Sequence, residues 1–183
     1  VELSKMMRHI LYDGGKKLIP LTCEVEFLNL YVQLMRLRYT NKVHISVNLP
    51  KQLPELKLPP LMLIIFVENA FKHGISPKEE GGVVRSRINP LREKGLLYIS
   101  VCDNGVGIRP EQLAQLKAAL ARPGERWEHI GVYNVAARLR LLDKRGRLVI
   151  RSHPGRGTAI RMYLPLVELL EEDLDDDTPV DRG

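Results

Sequence analysis

Seven consecutive apolar residues, Leu61 to Val67, constrain the fold of this chain more than any other feature. Pro60 precedes them, a residue suited to the first turn of a helix, and Gly74 ends the segment. A helix that is apolar on every side must be buried in a core. The end of this helix is abruptly polar, although packing alone does not require polar side chains there. We therefore expect a functional site where the helix reaches the surface, built from Glu68, Asn69, Lys72 and His73.

Apolar periodicity predicts the elements around this helix. Helices are predicted at residues 22–41, 111–121 and 132–142, after an earlier helix that ends at Gly14-Gly15. The helix at 22–41 has Glu24 and Glu26 in its first turn, where the helix dipole favours anions, and an apolar stripe of Val25, Leu28, Val32, Met35 and Tyr39. Strands are predicted at 43–49, 83–88, 96–103, 147–152 and 158–164. This order indicates an α+β fold, a two-layer α/β sandwich preceded by helical segments.

The composition is that of one ordinary globular domain, with 183 residues, 44% of them hydrophobic and 27% charged. Wholesale disorder and a collagen are therefore excluded. The longest apolar run is far shorter than the roughly 20 residues that cross a bilayer, so we expect a soluble piece. Cys23 and Cys102 cannot make a disulfide framework, which favours a reducing compartment such as the cytosol.

Charge is distributed unevenly along the chain. Residues 1–167 hold 27 basic and 14 acidic side chains, a formal charge of +13, whereas residues 168–183 hold eight acidic side chains and one arginine. A body this cationic attracts nucleic acid, membrane surfaces or nucleoside phosphates, and charge alone does not choose among them. We expect the acidic tail to be a solvated end, with docking onto the basic body as the alternative.

Three glycine clusters mark places where the backbone adopts positive φ or passes close to another group. They are Asp103 to Ile108 (DNGVGI), His129 to Asn134 (HIGVYN) and Pro154 to Thr158 (PGRGT). Each cluster by itself is typical of a tight turn. The chain has no GxxxxGK(S/T) and no GxGxxG after a first strand, so a P-loop and a Rossmann dinucleotide site are excluded.

In order and content, these clusters resemble the successive ATP-binding boxes of the GHKL ATPases. The matching segments are Val67 to Gly74 (VENAFKHG), Asp103 to Ile108, Gly131 to Leu139 (GVYNVAARL) and Gly155 to Pro165 (GRGTAIRMYLP). More narrowly, VENAxKHG followed by GxxNVxxRL is similar to sensor histidine kinases of the autolysin-sensor, LytS-like type. The resemblance extends from about Leu3 to Pro165. It implies a Bergerat fold, in which helices cover one face of a mixed sheet and ATP binds between the layers.

By this resemblance, Asp103 accepts a hydrogen bond from the exocyclic amine of adenine. A carboxylate repels the carbonyl of guanine, and a charge-assisted bond contributes roughly 1.5 to 3 kcal/mol, enough to select the base. Gly105, Gly107 and Ile108 would lie close to the base. The two glycines would also serve as a hinge for a lid formed by residues 109–130.

The resemblance implies that the phosphates lie at the start of the helix that follows the lid. Gly131 and Val132 would present backbone N–H groups and the positive helix end to them. Asn134 would turn toward phosphate or Mg²⁺. His129, which stands where the family usually has glycine, would contact phosphate. The last box adds Gly157 and Thr158, which support the site as a sheet turn more often than they bind directly.

Magnesium prefers six oxygen ligands and keeps several waters, so the protein needs to supply only one or two ligands. Asn69 is the candidate metal ligand, and Glu68 would hold a metal-bound water or align Asn69. Lys72 would neutralise a phosphate as a point charge, with a solvated lysine as the alternative. For His73, a phosphate contact and a helix-capping role stay equally open.

Ile65 lies one turn before Asn69, where water-activating relatives such as gyrase and the heat-shock chaperones carry a glutamate. An aliphatic side chain cannot deprotonate water. We therefore expect a protein histidine kinase domain that holds Mg-ATP and transfers its γ-phosphoryl group to a histidine, for relay to a response regulator. The family's acceptor lies upstream in an Asn-Pro-His context that this chain lacks. The expected partner is therefore the acceptor helix of the same kinase, in cis or in trans in a homodimer.

Residues 1–40 are interpreted as the end of the dimerisation helix and a linker helix, residues 41–167 as the catalytic domain, and residues 168–183 as the acidic tail. We expect the cytoplasmic domain of a membrane-anchored receptor. Two other classes stay open: a nucleotide-binding regulatory module without phosphotransfer, and a basic nucleic-acid-binding domain. With three phenylalanines, one tryptophan and no aromatic-rich strand, we expect no nucleic acid partner.

Overall fold

The structure is a computed structural model that describes residues 18–39, 42–78, 80–121, 130–142 and 144–166. Two short strands, β1 (Ile19–Pro20) and β3 (Lys57–Leu58), pair antiparallel. The longer strands are β2 (Val43–Asn48), β4 (Gly82–Leu91), β5 (Leu96–Asp103), β6 (Arg147–His153) and β7 (Gly157–Pro165). They form one mixed sheet in the order β2-β4-β5-β7-β6, with β2 parallel to β4 and the other neighbours antiparallel.

The described residues form four α-helices beside the sheet: α1 (Leu21–Tyr39), α2 (Met62–Asn69), α3 (Pro110–Ala121) and α4 (Ile130–Leu142). A π-helical turn, Ala70–Ile75, continues α2 directly. The mixed sheet with its helices confirms the predicted α+β sandwich. Within the described ranges, no helix has the length and apolar character that crossing a membrane requires.

Alternation along the strands separates the two faces of the sheet. In β5, Leu97, Ile99 and Val101 are buried, whereas Tyr98 and Cys102 are partly exposed on the opposite face. The buried face packs against the helices in one hydrophobic core.

The predicted apolar stripe of α1 belongs to this same core. Val25, Leu28 and Val32 are buried in it, and Met35 and Tyr39 pack against its edge. Helix α1 therefore packs on the unit that carries the sheet. The predicted division of the chain at residue 40 concerns its larger organisation and stays a prediction.

Strand β4 is longer than the sequence predicts and continues through Pro90 to Leu91. Pro90 lacks a backbone N–H and therefore cannot donate a hydrogen bond to a neighbouring strand. The pairing of β4 with β2 ends at Asn48 and Arg87, so beyond Arg87 one side of β4 is an edge. Pro90 pairs with Leu97 on its other side, and its missing donor therefore costs no bond to β2.

The start of α2 is held by two side chains from other helices. Glu24 of α1, 1% exposed, accepts hydrogen bonds from the backbone N–H groups of Leu61, at 2.6 Å, and Leu63, at 3.0 Å. Arg138 of α4 donates to the carbonyl oxygen of Pro60 at 2.8 Å. Leu61 has φ 63°, a left-handed conformation that costs a non-glycine residue about 1 kcal/mol or more. The sequence pattern predicted a dipole role for Glu24 in its own helix, and the structure instead shows its carboxylate capping α2.

Candidate functional site

A cavity of about 520 Å³ lies between the sheet and the helices α2, α3 and α4. Its apolar wall consists of Phe66, Val101, Leu116, Ile150 and Ile160. Nine residues predicted from the sequence also line it: Asn69, Lys72, His73, Asp103, Gly107, Ile108, Gly131, Val132 and Thr158. Segments far apart in the sequence thus meet in one pocket with apolar walls and few polar groups, an arrangement typical of small-molecule sites.

Asp103, at the end of β5, is the carboxylate that lines this cavity among the described residues. Its Oδ1 atom accepts hydrogen bonds from the backbone N–H groups of Gly105, at 2.9 Å, and Thr158, at 3.3 Å. Burial raises the pKa of Asp103, and these two hydrogen bonds lower it in part. Its Oδ2 atom has no hydrogen-bond partner in the described part of the chain. This oxygen is therefore available to accept a bond from a ligand donor.

Glycines allow the backbone to close around this carboxylate. A Cβ on Gly74 would lie 2.6 Å from Oδ1 of Asp103, and one on Gly105 would lie 2.1 Å from the carbonyl oxygen of Gly74. Gly107 has φ 71°, and a Cβ there would lie 2.1 Å from the carbonyl oxygen of His153. The sequence analysis expected Gly105 and Gly107 to approach a base. The structure shows that both glycines approach protein backbone, and that Gly107 also lines the cavity.

Ser152 links the first glycine cluster, at Ile108, to the last one, at Gly157 and Thr158. Its buried hydroxyl accepts a hydrogen bond from the N–H of Ile108 and donates to the carbonyl oxygen of Gly157, both at 2.9 Å, and it lies 2.9 Å from Oγ1 of Thr158. A Cβ on Gly157, which has φ 96°, would lie 2.0 Å from the carbonyl oxygen of Asp103. Gly157 thus supports the site without lining the cavity, while Thr158 does both.

The polar end of the core helix differs from a regular α-helix. Helix α2 ends at Asn69, and the π-helical turn Ala70–Ile75 carries Lys72 and His73, both exposed beside the cavity. A π-turn contains one more residue than an α-turn and often occurs at functional sites. Here the π-turn lets Gly74 reach the carboxylate of the neighbouring strand. Residue spacing alone predicted a plain helix over this segment.

Helix α1 approaches the same segment through aromatic side chains. The ring of Phe71 stacks on Tyr39, with 5.4 Å between centroids, and meets Tyr31 edge-on at 6.2 Å. Burial raises the pKa of Tyr31 to about 12, and the charge of Glu68 adds to this effect. Glu68 is exposed and lies outside the cavity lining, on a side of the helix where its charge acts on Tyr31. Its role beside a metal ion stays a prediction.

The first turn of α4 borders the cavity through Gly131 and Val132. A Cβ on Gly131 would lie 3.1 Å from Cγ2 of Ile65, so an aliphatic side chain stands next to this helix start. Asn134 is exposed and lies outside the lining, so its contact with phosphate or metal stays a prediction. His129 and the middle of the predicted lid, 122–129, lie outside the described residues.

Sequence reasoning missed two cavity residues on α3, Gln112 and Leu116. Their spacing of four places them on one helix face, a signal that identifies them once α3 is known to cover the site. It also missed the contact between Gly74 and Asp103, because Gly74 was interpreted only as the end of a helix. No pattern in the sequence indicates that contact.

The donor set around Asn69 fits a magnesium ion that arrives with phosphates. In the parts of the chain that the structure describes, no group of three or more histidine, cysteine or acidic residues is arranged to hold a metal ion. Asn69 borders the cavity with an amide oxygen, a neutral ligand of the kind that magnesium accepts. One such protein ligand is enough when phosphate oxygens and waters supply the others.

Comparison with known proteins places this arrangement in a family. Residues 59–168 match the family described as histidine kinase-, DNA gyrase B-, and HSP90-like ATPase, and residues 1–43 match a histidine kinase family. The chain is 30% identical over 172 residues to the sensor protein LytS of Bacillus subtilis, covering 93% of this chain and 28% of LytS. It is 25% identical over 166 residues to the sensor protein kinase HptS of Staphylococcus aureus, covering 90% of this chain and 31% of HptS. The chain thus spans less than a third of the length of these relatives.

Solved structures agree in fold. The histidine kinase domain of the blue-light activated histidine kinase from Erythrobacter litoralis has a TM-score of 0.57 at 19% identity, covering 90% of this chain and 71% of that chain. Full-length ShkA in complex with AMPPNP has a TM-score of 0.59 at 21% identity, covering 90% of this chain and 34% of that chain. These structures confirm the predicted fold. The identity to LytS confirms the resemblance to LytS-like proteins. The chain belongs to the histidine kinase-, DNA gyrase B- and HSP90-like ATPase family, and its sequence is similar to the sensor protein LytS over 93% of its length.

Proposed function

We propose that this domain binds Mg-ATP in the cavity and transfers the γ-phosphoryl group to a histidine on a dimerisation helix of the same kinase. One observation carries the proposal: the free Oδ2 of Asp103 and the amide of Asn69 line one cavity of about 520 Å³. A purine with a polyphosphate chain needs such a pairing of an apolar slot with a polar mouth.

The slot near Asp103 suits adenine. Its carboxylate oxygen accepts a hydrogen bond from the exocyclic amine, while the apolar wall contacts the faces of the ring. Guanine has a carbonyl oxygen in the equivalent position, which the carboxylate repels. A charge-assisted hydrogen bond contributes about 1.5 to 3 kcal/mol, which corresponds to a selectivity of roughly 10- to 150-fold.

The polar mouth suits the triphosphate. Backbone N–H groups in the first turn of α4, at Gly131 and Val132, favour anions, and Lys72 and His73 supply further donors. Asn69 would hold the magnesium ion, aligned by Glu68. When bound, the ion neutralises phosphate charge and orients the γ-phosphate.

The proposed reaction is phosphoryl transfer to a histidine, as in a kinase, and not the hydrolysis of ATP. An imidazole nitrogen of the acceptor histidine forms a bond to the γ-phosphorus while the bond to the β–γ bridging oxygen breaks, so that ADP leaves with the electron pair and the imidazole loses its proton to solvent. Ile65, beside the start of α4, offers no base that would activate water instead. Alignment and charge stabilisation then supply the catalysis.

The setting of this activity is part of the proposal. The acceptor helix belongs to the same kinase, in cis or in trans within a homodimer, and a response regulator receives the phosphoryl group from it. Residues 1–40 would contain the end of that helix and a linker, and residues 41–167 the catalytic domain. The parent would be a membrane-anchored receptor with this domain on its cytoplasmic side. Support comes from similarity to the sensor protein LytS.

Calorimetric titration of the chain with ATP, ADP and GTP in the presence of magnesium tests the binding half of the proposal. We expect ATP and ADP to bind, and GTP to bind roughly 10- to 150-fold more weakly. Equal affinity for GTP would remove the proposed role of Asp103. Binding of no nucleotide, with tight binding of an oligonucleotide, would favour the nucleic-acid-binding alternative instead.

The transfer half requires the acceptor, so the full-length receptor is incubated with ATP labelled at the γ-phosphate. We expect acid-labile, base-stable label on a histidine upstream of this domain. Asn69→Ala should remove the label while nucleotide still binds, because the adenine contacts are intact. ATP binding without label in the wild type would favour a regulatory module that senses nucleotide without phosphotransfer.

A further inference from the structure

No described element covers the sheet face opposite the helices, and five arginines project from this face. The strand register orders its side chains in three rows that cross β4, β5, β7 and β6. The first row is Arg85, Cys102, Ala159 and Arg151, the second is Arg87, Ser100, Arg161 and Val149, and the third is Asn89, Tyr98, Tyr163 and Arg147. We name the arginine face after Arg85, Arg87, Arg147, Arg151 and Arg161.

No carboxylate balances these charges within the five strands. Asp103 is the one acidic residue in their sequences, and its side chain lies on the cavity side. Among the described residues, no ion pair joins a face arginine to an acidic side chain. Unpaired like charges this close raise the local potential and favour binding of an anion.

Two further observations agree with the strand register, which places the five arginines on one face. Burial raises the pKa of Cys102 in the first row, while Arg161, Arg85 and Arg87 from the strands on either side lower it in part. At the other end of the patch, the guanidinium of Arg147 lies 4.3 Å from the ring centroid of Tyr163.

The chain itself supplies an anionic segment at the edge of this patch. Strand β7, which carries Arg161 and Tyr163, ends at Pro165, and residues 168–183 follow with eight acidic side chains and one arginine, a formal charge of −7. Six of these acidic residues fall within 171–177. At roughly 3.3 Å per residue, residues 171–177 reach about 20 to 40 Å from Pro165, whereas the three rows span about 14 Å.

We propose that residues 168–183 fold back from the end of β7 and bind the arginine face of the same sheet, so that the tail competes with other anions for this surface. Arginine suits this role because its planar guanidinium binds carboxylates through two parallel hydrogen bonds. Tethering sets the effective concentration of the tail in the millimolar range, which favours this occupant over a free anion. The proposal is independent of nucleotide binding, which uses the opposite face.

The test uses the whole chain with a nearly neutral tail of formal charge −1, here called the neutral-tail chain, which carries Glu171→Gln, Glu172→Gln, Asp173→Asn, Asp175→Asn, Asp176→Asn and Asp177→Asn. The probe is a fluorescent synthetic peptide with the sequence of residues 167–183. In low salt we expect the peptide to bind this variant. Its affinity for the native chain should be lower, by up to about tenfold, because the native tail competes in cis. Equal peptide affinity for both chains would overturn the proposal.

Adding Arg87→Gln and Arg161→Gln to the neutral-tail chain should weaken peptide binding by roughly three- to tenfold. Arg38→Gln with Arg109→Gln is the matched control, because it removes the same charge from exposed arginines outside the face and should leave binding nearly unchanged. Equal losses in the two pairs would indicate attraction by overall charge and would overturn the assignment to this face.

A second measurement detects binding of the tail within the native chain itself. Cys102 lies in the first row, between Arg85 and Arg151, so tail binding should slow its alkylation by iodoacetamide in the native chain relative to the neutral-tail chain, with Cys23 on α1 as the internal reference. About 1 M salt should abolish the difference, because screening shortens the range of ion pairing to about 3 Å. Equal rates at low salt would contradict the proposal. So would an oligothymidylate, or a vesicle containing phosphatidylserine, that binds the native chain as tightly as the neutral-tail chain.

Discussion

The two faces of the central sheet differ more than any other pair of regions in this protein. On the helix side, buried Leu97, Ile99 and Val101 lead along β5 to the carboxylate of Asp103 in the cavity. On the open side, the adjacent residue Cys102 lies among arginines. Successive side chains of a strand point to opposite faces of the sheet. The consecutive residues Cys102 and Asp103 therefore belong to different surfaces: Asp103 is a carboxylate in an apolar cavity, and Cys102 lies on a cationic surface.

This difference suggests that the helix side and the open side of the sheet have separate functions. The helix side holds a precisely packed pocket in which glycines without Cβ atoms and a buried hydroxyl fix one carboxylate. The open side holds arginines with long side chains, most of them exposed. Substitutions on the helix side should therefore change stability or nucleotide affinity, whereas substitutions on the open side should leave both unchanged.

The largest effect is expected for Glu24→Ala, which removes the carboxylate of α1 that caps the start of α2. Two backbone N–H groups lose their acceptor and the strained Leu61 loses its support, so the free energy of unfolding should fall by about 2 to 4 kcal/mol. Denaturant unfolding measures this change. Glu26→Ala is the control, because Glu26 is exposed on the same helix and its loss should cost less than about 0.5 kcal/mol. Equal losses of unfolding free energy in the two variants would show that the cap formed by Glu24 does not stabilise the fold.

Asp103→Asn should weaken ATP binding by roughly 10- to 150-fold, measured by calorimetry. The amide oxygen keeps the two backbone hydrogen bonds, while an NH₂ group replaces Oδ2 and opposes the amine of adenine. Glu93→Gln, an exposed carboxylate at the far end of β5, is the control for loss of charge and should bind ATP as the wild type does.

The same substitution makes a pH prediction for the nucleotide-free protein. The folded pKa of Asp103 is raised, so folding favours the neutral form, and the wild type loses stability as pH rises through that pKa. Asp103→Asn carries no such charge and should unfold at a temperature equal to or above that of the wild type at pH 7. The difference in unfolding temperature should disappear as the pH falls below the ordinary aspartate pKa of about 3.9. A wild type that is clearly the more stable at pH 7 would contradict the burial penalty.

These roles mark how far sequence reasoning reaches in this protein. The elements followed from local patterns, so the bounds of β5 were predicted to the residue and those of α3 to within one. The cavity residues followed from the boxes DNGVGI and VENAFKHG, which the structure brings together. Glu24 did not follow, because its partners on α2 lie 37 and 39 residues away and no periodic signal connects them.

The arginine face shows the same limit in another form. The excess of basic residues was plain from composition, but the shared patch depends on the strand order β4-β5-β7-β6. Arg87 and Arg161 lie in one row only because β7 inserts between β5 and β6. Sheet order is a non-local property, so charge on one face appears only after the fold is known.

Gly74→Ala should have a smaller effect than Asp103→Asn on ATP affinity, about tenfold. A Cβ at this position would lie 2.6 Å from Oδ1 of Asp103, so either the carboxylate or the π-turn must shift, at a cost of about 1 to 3 kcal/mol in stability. Calorimetry and thermal unfolding measure the two effects. Gly155→Asn is the control, because that glycine has open space around it and asparagine tolerates its positive φ. Native affinity in Gly74→Ala would show that the site is less tightly packed than the distances indicate.

The smallest effect is expected for the open face. Arg85→Gln with Arg151→Gln removes two charges from the row that contains Cys102, one residue from Asp103 in the chain. ATP affinity should change by less than about twofold and the free energy of unfolding by less than about 0.5 kcal/mol, since exposed side chains without ion pairs contribute little. Calorimetry at about 0.15 M salt measures the affinity, where screening limits attraction between exposed arginines and the triphosphate to about 8 Å. A larger loss of ATP affinity would mean that the arginines act through the sheet on the cavity, and the separation of the two faces would be wrong. Unchanged affinity, together with the loss in Asp103→Asn, would establish that neighbouring residues of one strand serve independent surfaces.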